Sequence, residues 1–290
     1  MADKKDIDEL SGVETTGHEW DGIRELNNPL PRWWLWTFYG TVIWALVYTI
    51  AFPAWPMVTR ATQGLLGYDS RVELEETLAE AEKARQAFRD RMARMSFDEI
   101  RADPELMRFA QNSGAATFRA FCSQCHGAGA DGRPGYPNLL DDDWLWGGTV
   151  EAIYQTVAHG IRSPDDPDTR FGEMPAFGRD GLLAAAEIRA VAEHVLKISG
   201  QPHDPALAET GAALFADNCA SCHGEDGKGN RDLGAPDLTD AIWLYGGSRE
   251  KIVETLVNGR AGMMPAWAGR LPDAQIREVA LYVHSLGGGE

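Results

Sequence analysis

All four cysteines of the 290-residue chain fall in two copies of one pentapeptide, Cys122-Ser-Gln-Cys125-His126 and Cys219-Ala-Ser-Cys222-His223. Two thiols with two residues between them and a histidine directly after suit covalent attachment of haem. The sulfurs add to the porphyrin vinyl groups and the imidazole takes one axial position on the iron. A redox dithiol or half of a zinc site also uses this spacing. The dithiol would need a βαβ setting that neither copy has, and zinc leaves the paired histidines unexplained. A disulfide across two intervening residues makes a strained ring. The chain is therefore expected to carry two haem c groups, bonded through Cys122, Cys125, Cys219 and Cys222, with His126 and His223 as proximal iron ligands.

The sixth ligand decides what such irons can do. Residues 111–200 contain Met174, and residues 201–290 contain Met263 and Met264. Met174-Pro-Ala and Met264-Pro-Ala match as triplets, so Met174 and Met264 are the expected axial donors, with Met263 in reserve. A thioether is a soft, neutral ligand that favours ferrous iron and raises the potential. With both axial positions filled, neither iron readily binds O₂ or peroxide, so electron transfer is favoured and no catalytic residue is expected. His159, His194, His203 and His284 are the alternative sixth ligands, and His18 is expected to be solvated.

The sites sit in a repeat. Gly114-Ala-Ala-Thr-Phe118 corresponds to Gly211-Ala-Ala-Leu-Phe215, Pro137-Asn-Leu139 to Pro236-Asp-Leu238, and Trp144-Leu-Trp-Gly-Gly148 to Trp243-Leu-Tyr-Gly-Gly247. His194 aligns with His284 in the closing helices. The first copy carries an extra acidic, proline-rich insert around Arg162 to Phe171. A repeat of this length is a domain rather than a solenoid unit. Each copy is small for a hydrophobic core and would need its haem as the largest apolar body.

Residues 33–52 run without a charge. At ~1.5 Å per residue they cover ~30 Å, one bilayer core. Trp33, Trp34 and Trp36 mark one interface, Trp55 marks the other, and Pro53 and Pro56 end the helix. The span starts too late and is too long for a cleaved signal segment. Charge orients it weakly: Lys4, Lys5, Arg24 and Arg32 precede it, and Arg60 and Arg71 follow. Beyond it, Leu74, Leu78, Ala81, Phe88, Met92 and Met95 fall near helical spacing, predicting a helix of six or so turns and a shorter one near 104–120. The apolar stripe is expected to pack on a partner or on the haem domains. The net charge of −17, from 44 acidic and 27 basic residues, disfavours nucleic acid and would steer a basic electron carrier.

The order of helix, haem pentapeptide, proline loop, methionine loop and closing helix resembles class I cytochrome c. That resemblance implies that Gly114 and Gly211 serve a close crossing of first and last helices. It also implies that the Pro137 and Pro236 carbonyls accept the proximal histidine Nδ1–H. The fold class expected is mainly α: a single transmembrane helix followed by two tandem class I cytochrome c domains.

Before the span stands Trp20-Asp-Gly-Ile-Arg-Glu-Leu-Asn-Asn-Pro-Leu-Pro-Arg-Trp-Trp34. With the overall layout, this stretch resembles the dihaem subunit P (subunit III) of cbb3-type cytochrome c oxidases. Some members have two spans, and this sequence shows one. The resemblance implies a bacterial inner-membrane protein, single-pass, since c-type haem is attached on the outer face. Residues 1–32 would be cytoplasmic, 33–56 the span, 57–110 a periplasmic helical linker, and 111–200 and 201–290 the two haem domains. Electrons would pass from soluble or membrane-anchored cytochrome c, or from cytochrome bc1, towards a monohaem subunit and a catalytic haem–copper subunit. A membrane-anchored electron shuttle, a cytochrome subunit of another periplasmic oxidoreductase, and a dihaem peroxidase are the competing readings. The shuttle would not need residues 20–34, and the peroxidase would need an open iron position.

Overall fold

The uncharged run becomes α1 (Arg32–Ala51) in the computed structural model, which describes residues 6–290. None of its residues is buried, as expected of a helix whose surroundings are lipid. Its hydroxyls are satisfied within the helix: Thr37 Oγ1 donates to the Trp33 carbonyl at 2.9 Å, Thr41 to Phe38 at 2.8 Å and Thr49 to Leu46 at 2.9 Å. The chain then doubles back, so that Leu65 N–H and Leu66 N–H donate to the end carbonyls of Ile50 and Ala51. Ahead of α1, β1 (Thr15–Trp20) and β2 (Ile23–Leu26) form an antiparallel hairpin. Asp21 and Gly22 turn it with φ of +48° and +85°, the left-handed pair that a two-residue hairpin loop demands. Asp-Gly is a strong hairpin signal, although the expectations for the residues before the span include no hairpin. Lys4 and Lys5, counted in the charge balance, lie outside the described residues.

The linker helix is α2 (Ser70–Met92), and its stripe divides. Val72, Leu74 and Leu78 are exposed, whereas Met92 is fully buried and Phe88 and Met95 pack beside it. The boundary between the chain's two compact units, 1–83 and 84–290, falls inside this helix.

In the second unit, side-chain caps start several of the helices. Ser96 and Glu99 form a reciprocal capping box for α3 (Phe97–Ala102). Asp103-Pro104 opens α4 (Pro104–Phe121), and Asp204-Pro205 opens α8 (Pro205–Asn218) in the same way. The carboxylate takes two free N–H groups and proline occupies the first turn. Each leads into a one-turn haem-motif helix, α5 (Ser123–His126) and α9 (Ala220–His223). Thr149 caps α6 (Val150–His159) and Ser248 caps α10 (Arg249–Asn258). The closing helices are α7 (Ala185–Ile198) and α11 (Asp273–His284).

The helix pairing is crossed between the repeats. α4 and α6, from the first repeat, pack on α11, the last helix of the second. α8 and α10, from the second, pack on α7, the last helix of the first. The glycines at the helix crossings are the expected ones, but they face the other repeat's closing helix. A Cβ on Gly114 would lie 2.3 Å from the Glu278 carbonyl oxygen, and one on Gly211 would lie 2.0 Å from that of Ala190. The local pattern is that of the class I fold, and the exchange follows from which copy of an equivalent helix each groove accepts.

Two cores result. Phe118, Val150, Ile153, Leu271, Ile276 and Val279 fill one, while Phe215, Ile252, Leu256, Ile188, Val191 and Val195 fill the other. Glu278, with no exposed surface, lies inside the first. Arg89 Nε donates to it at 2.9 Å and Ser113 Oγ at 2.5 Å, which ties α2 and α4 to α11. Removing one partner of a buried pair costs about 3–5 kcal/mol, because the other charge stays buried, whereas removing both costs far less. Arg89→Ala should therefore lower the melting temperature more than Arg89→Met combined with Glu278→Leu, as followed by circular dichroism.

Candidate haem sites

Each attachment motif sits at the end of its repeat's first helix, and each histidine is aimed by a carbonyl in the loop that follows it. His126 Nδ1 lies 3.1 Å from the Pro137 oxygen and His223 Nδ1 lies 3.1 Å from that of Pro236, as the resemblance implied. A carbonyl only accepts, so Nδ1 carries the proton and Nε2 keeps its lone pair. Burial lowers both histidines' pKa values, with the proline hydrogen bond opposing. The neutral, donor-ready imidazole is the form an iron requires.

None of the four cysteines is paired in a disulfide. Burial, with a smaller push from the neighbouring cysteine, raises Cys122 and Cys219 to about 11.

Beside His223 opens a cavity of about 1140 Å³, lined by Cys219, Cys222, Phe215, Leu238 and Trp243. It exceeds the roughly 300–1,000 Å³ of ordinary small-molecule clefts. Met174, from the first repeat, lines this cavity, with Val191 and Val195 of α7. Met264, from the second repeat, packs instead on the core that holds Cys122, Leu139 and Trp144. The structure thus brings Met174 together with the second haem motif, and Met264 with the surroundings of the first. An apolar cavity edged by two thiols, a carbonyl-aimed imidazole and a thioether fits haem c.

The methionine backbones are pinned by the same crossing. Met174 N–H donates to the Arg260 carbonyl at 2.9 Å and Arg260 N–H returns a bond to the Met174 carbonyl at 3.0 Å. Ile161 and Met264 exchange the equivalent pair at 2.9 and 3.0 Å. Gly160 and Gly259, with φ of +69° and +70°, end α6 and α10 at these bridges, where a Cβ would lie 2.4 Å from the opposing methionine carbonyl oxygen. Met263, 61 % exposed, points away from the core.

The other histidines are engaged elsewhere. His159 Nδ1 meets the Asp166 carboxylate at 3.1 Å, His203 Nδ1 the Gln201 carbonyl at 2.9 Å and His284 Nε2 the Glu290 carbonyl at 2.7 Å. His194 stacks obliquely on Phe215, with ring centres 5.1 Å apart, at the α7–α8 crossing. His18 is exposed in the hairpin, as expected.

Sequence patterns gave no hint of the acidic seam between the loops that follow the two motifs. Asp142 and Asp143 from one repeat, and Asp237 and Asp240 from the other, line a second cavity of about 620 Å³ with Lys228 and Arg231. Burial, then Asp240, Asp141 and Asp237, push Asp143 up to about 6, against the pull of Arg231. A carboxyl whose folded pKa lies above its unfolded value costs stability as pH rises between the two, and the cost is then constant. Asp143→Asn should raise the melting temperature at pH 8 and leave it unchanged at pH 4, measured by scanning calorimetry at both values.

Comparison with known proteins covers nearly the whole chain. Residues 12–59 match the family described as the N-terminal domain of cytochrome oxidase-cbb3, FixP. Residues 109–195 and 206–283 each match cytochrome c oxidase, cbb3-type, subunit III. The chain is 56% identical over 276 residues to the cbb3-type cytochrome c oxidase subunit CcoP of Cereibacter sphaeroides, covering 95% of each. It is 54% identical over 291 residues to subunit FixP of Sinorhizobium medicae, covering 100% of each. It is 54% identical over 287 residues to subunit CcoP of Rhodobacter capsulatus, covering 96% of this chain and 97% of that one.

Proposed function

The chain belongs to the subunit III family of cbb3-type cytochrome c oxidases, and from that premise we propose that it is the oxidase's dihaem electron-entry subunit. It takes electrons from a periplasmic cytochrome c or from cytochrome bc1 and passes them towards the monohaem and catalytic haem–copper subunits. Family membership favours this over a free shuttle or a peroxidase. α1 anchors it in the bacterial inner membrane, with the N-terminus cytoplasmic and the haem domains periplasmic.

Haem c, when bound, supplies a one-electron iron couple. The chain's residues hold and close that couple. Cys122 and Cys125, and Cys219 and Cys222, are the covalent anchors. The Pro137 and Pro236 carbonyls orient His126 and His223 as proximal ligands. Met264 would complete the haem site that His126 serves, and Met174 the site that His223 serves, each supplied from the other repeat. The observation that carries this pairing is Met174 lining the His223 cavity while Met264 packs on the core beside Cys122. With a histidine and a thioether both held for the iron, each site would suit an electron relay rather than oxygen chemistry.

A pyridine haemochrome assay with intact-chain mass spectrometry should find two haem c groups per chain. The pairing is tested in the Cys219→Ala/Cys222→Ala variant, which retains the first haem. Adding Met264→Leu should open its ferrous iron to carbon monoxide, whereas adding Met174→Leu should not. The reverse pattern would refute the crossed assignment.

A further inference from the structure

The insert that lengthens the first repeat carries none of the cysteine, histidine or methionine residues assigned to haem, yet its first residue lines the His223 cavity and touches both methionine loops. Arg162 stands in the left-handed region with φ +51°, and its N–H donates to the Arg170 carbonyl at 2.8 Å. Its Nε donates to the Gly262 carbonyl at 2.7 Å, and its Nη2 reaches the same oxygen. Its Nη1 donates to the Gly172 carbonyl. Gly172 and Gly262 occupy matching places in the two repeats, each two residues ahead of its methionine.

Other arginines nearby come in matched pairs. Arg170 lies over the Trp146 ring at 5.6 Å and Arg260 over the equivalent Tyr245 ring at 4.2 Å. Arg162 has no such mate, because the second repeat runs Gly259-Arg260-Ala261-Gly262 without the insert. One side chain therefore serves two loops. A planar guanidinium directs separate N–H groups at two carbonyls at once, and a lysine ammonium does not reproduce that fork.

We propose that Arg162 is a positioning residue for both sixth-ligand loops, bridging the Gly172 and Gly262 carbonyls so that the seating of the Met174 and Met264 thioethers is held in common. The proposal rests on the crossed methionine assignment above. It makes the two haem sites mutually dependent: loosening the bridge loosens both sixth ligands, although neither iron's own donor set has changed.

The test uses the full chain with haem attached, purified in mild detergent and reduced, with carbon monoxide uptake counted per haem. Met174→Leu and Met264→Leu calibrate it, each opening one site per chain. If neither opens a site, the ligand assignment itself has failed. If they do, Arg162→Ala and Arg162→Lys should each speed carbon monoxide uptake about tenfold or more at both haems, in line with loss of hydrogen bonds from a charged donor. Lysine keeps the charge and loses the fork, so equal behaviour of the two variants assigns the effect to geometry. Uptake at the wild-type rate, acceleration at one haem only, or full restoration by lysine would overturn the proposal. Should Arg162→Ala fail to mature, Arg162→Lys alone decides.

Discussion

The exchange of closing helices governs the haem-bearing unit. α11 lies against α4 and α6, and α7 lies against α8 and α10, so each groove is filled by a helix from the other repeat. Each methionine loop precedes its closing helix in sequence and follows it across. The two antiparallel bridges, Ile161 with Met264 and Met174 with Arg260, are the points where the crossing strands touch. This path places the two methionine loops side by side, which is where the proposed Arg162 bridge joins them. The repeat explains why such an exchange is available: two copies of a class I pattern offer two nearly equivalent helices for every groove.

Burial of charge follows the same path. Glu278 sits without exposed surface where α11 meets α4, and Arg89 reaches it from the end of α2. Glu193 on α7 is likewise buried, and takes a side-chain hydrogen bond from Arg249 on α10 and the Asp204 N–H that starts α8. The Arg249 bond is the main reason its pKa is lowered. In both cores an acid on the closing helix is satisfied by donors from the elements that receive it. An ill-docked closing helix would leave that acid unpaired in an apolar setting, a penalty that helps enforce the pairing.

Much of the chemistry was legible because it is written locally. The pentapeptides, the methionine–proline triplets and the proline carbonyls each lie within one loop or turn. The uncharged run and the Asp-Pro helix starts are equally local. The hairpin before α1 is local too, since Asp21-Gly22 is a strong turn signal. What the sequence could not disclose is non-local. The matching registers of Gly114 and Gly211 announce a close crossing without naming the partner helix, because α7 and α11 carry the same pattern. Arg162 looked like part of a polar insert, since carbonyl partners leave no mark on residue type. The gathering of Asp142, Asp143, Asp237 and Asp240 required two distant loops to meet.

The crossed path also carries a sense of time. The segment from Met174 to Asn258 holds one motif, the methionine that lines its cavity and the closing helix that packs on it, in unbroken order. The other core needs α4 near the start of the unit and α11 at the very end, with about 150 residues between them. Bringing such distant ends together costs roughly 3 kcal/mol more chain entropy than joining α7 to α8 across their short loop. Of the two pockets, the one whose cysteines come first along the chain is therefore the last to be sealed.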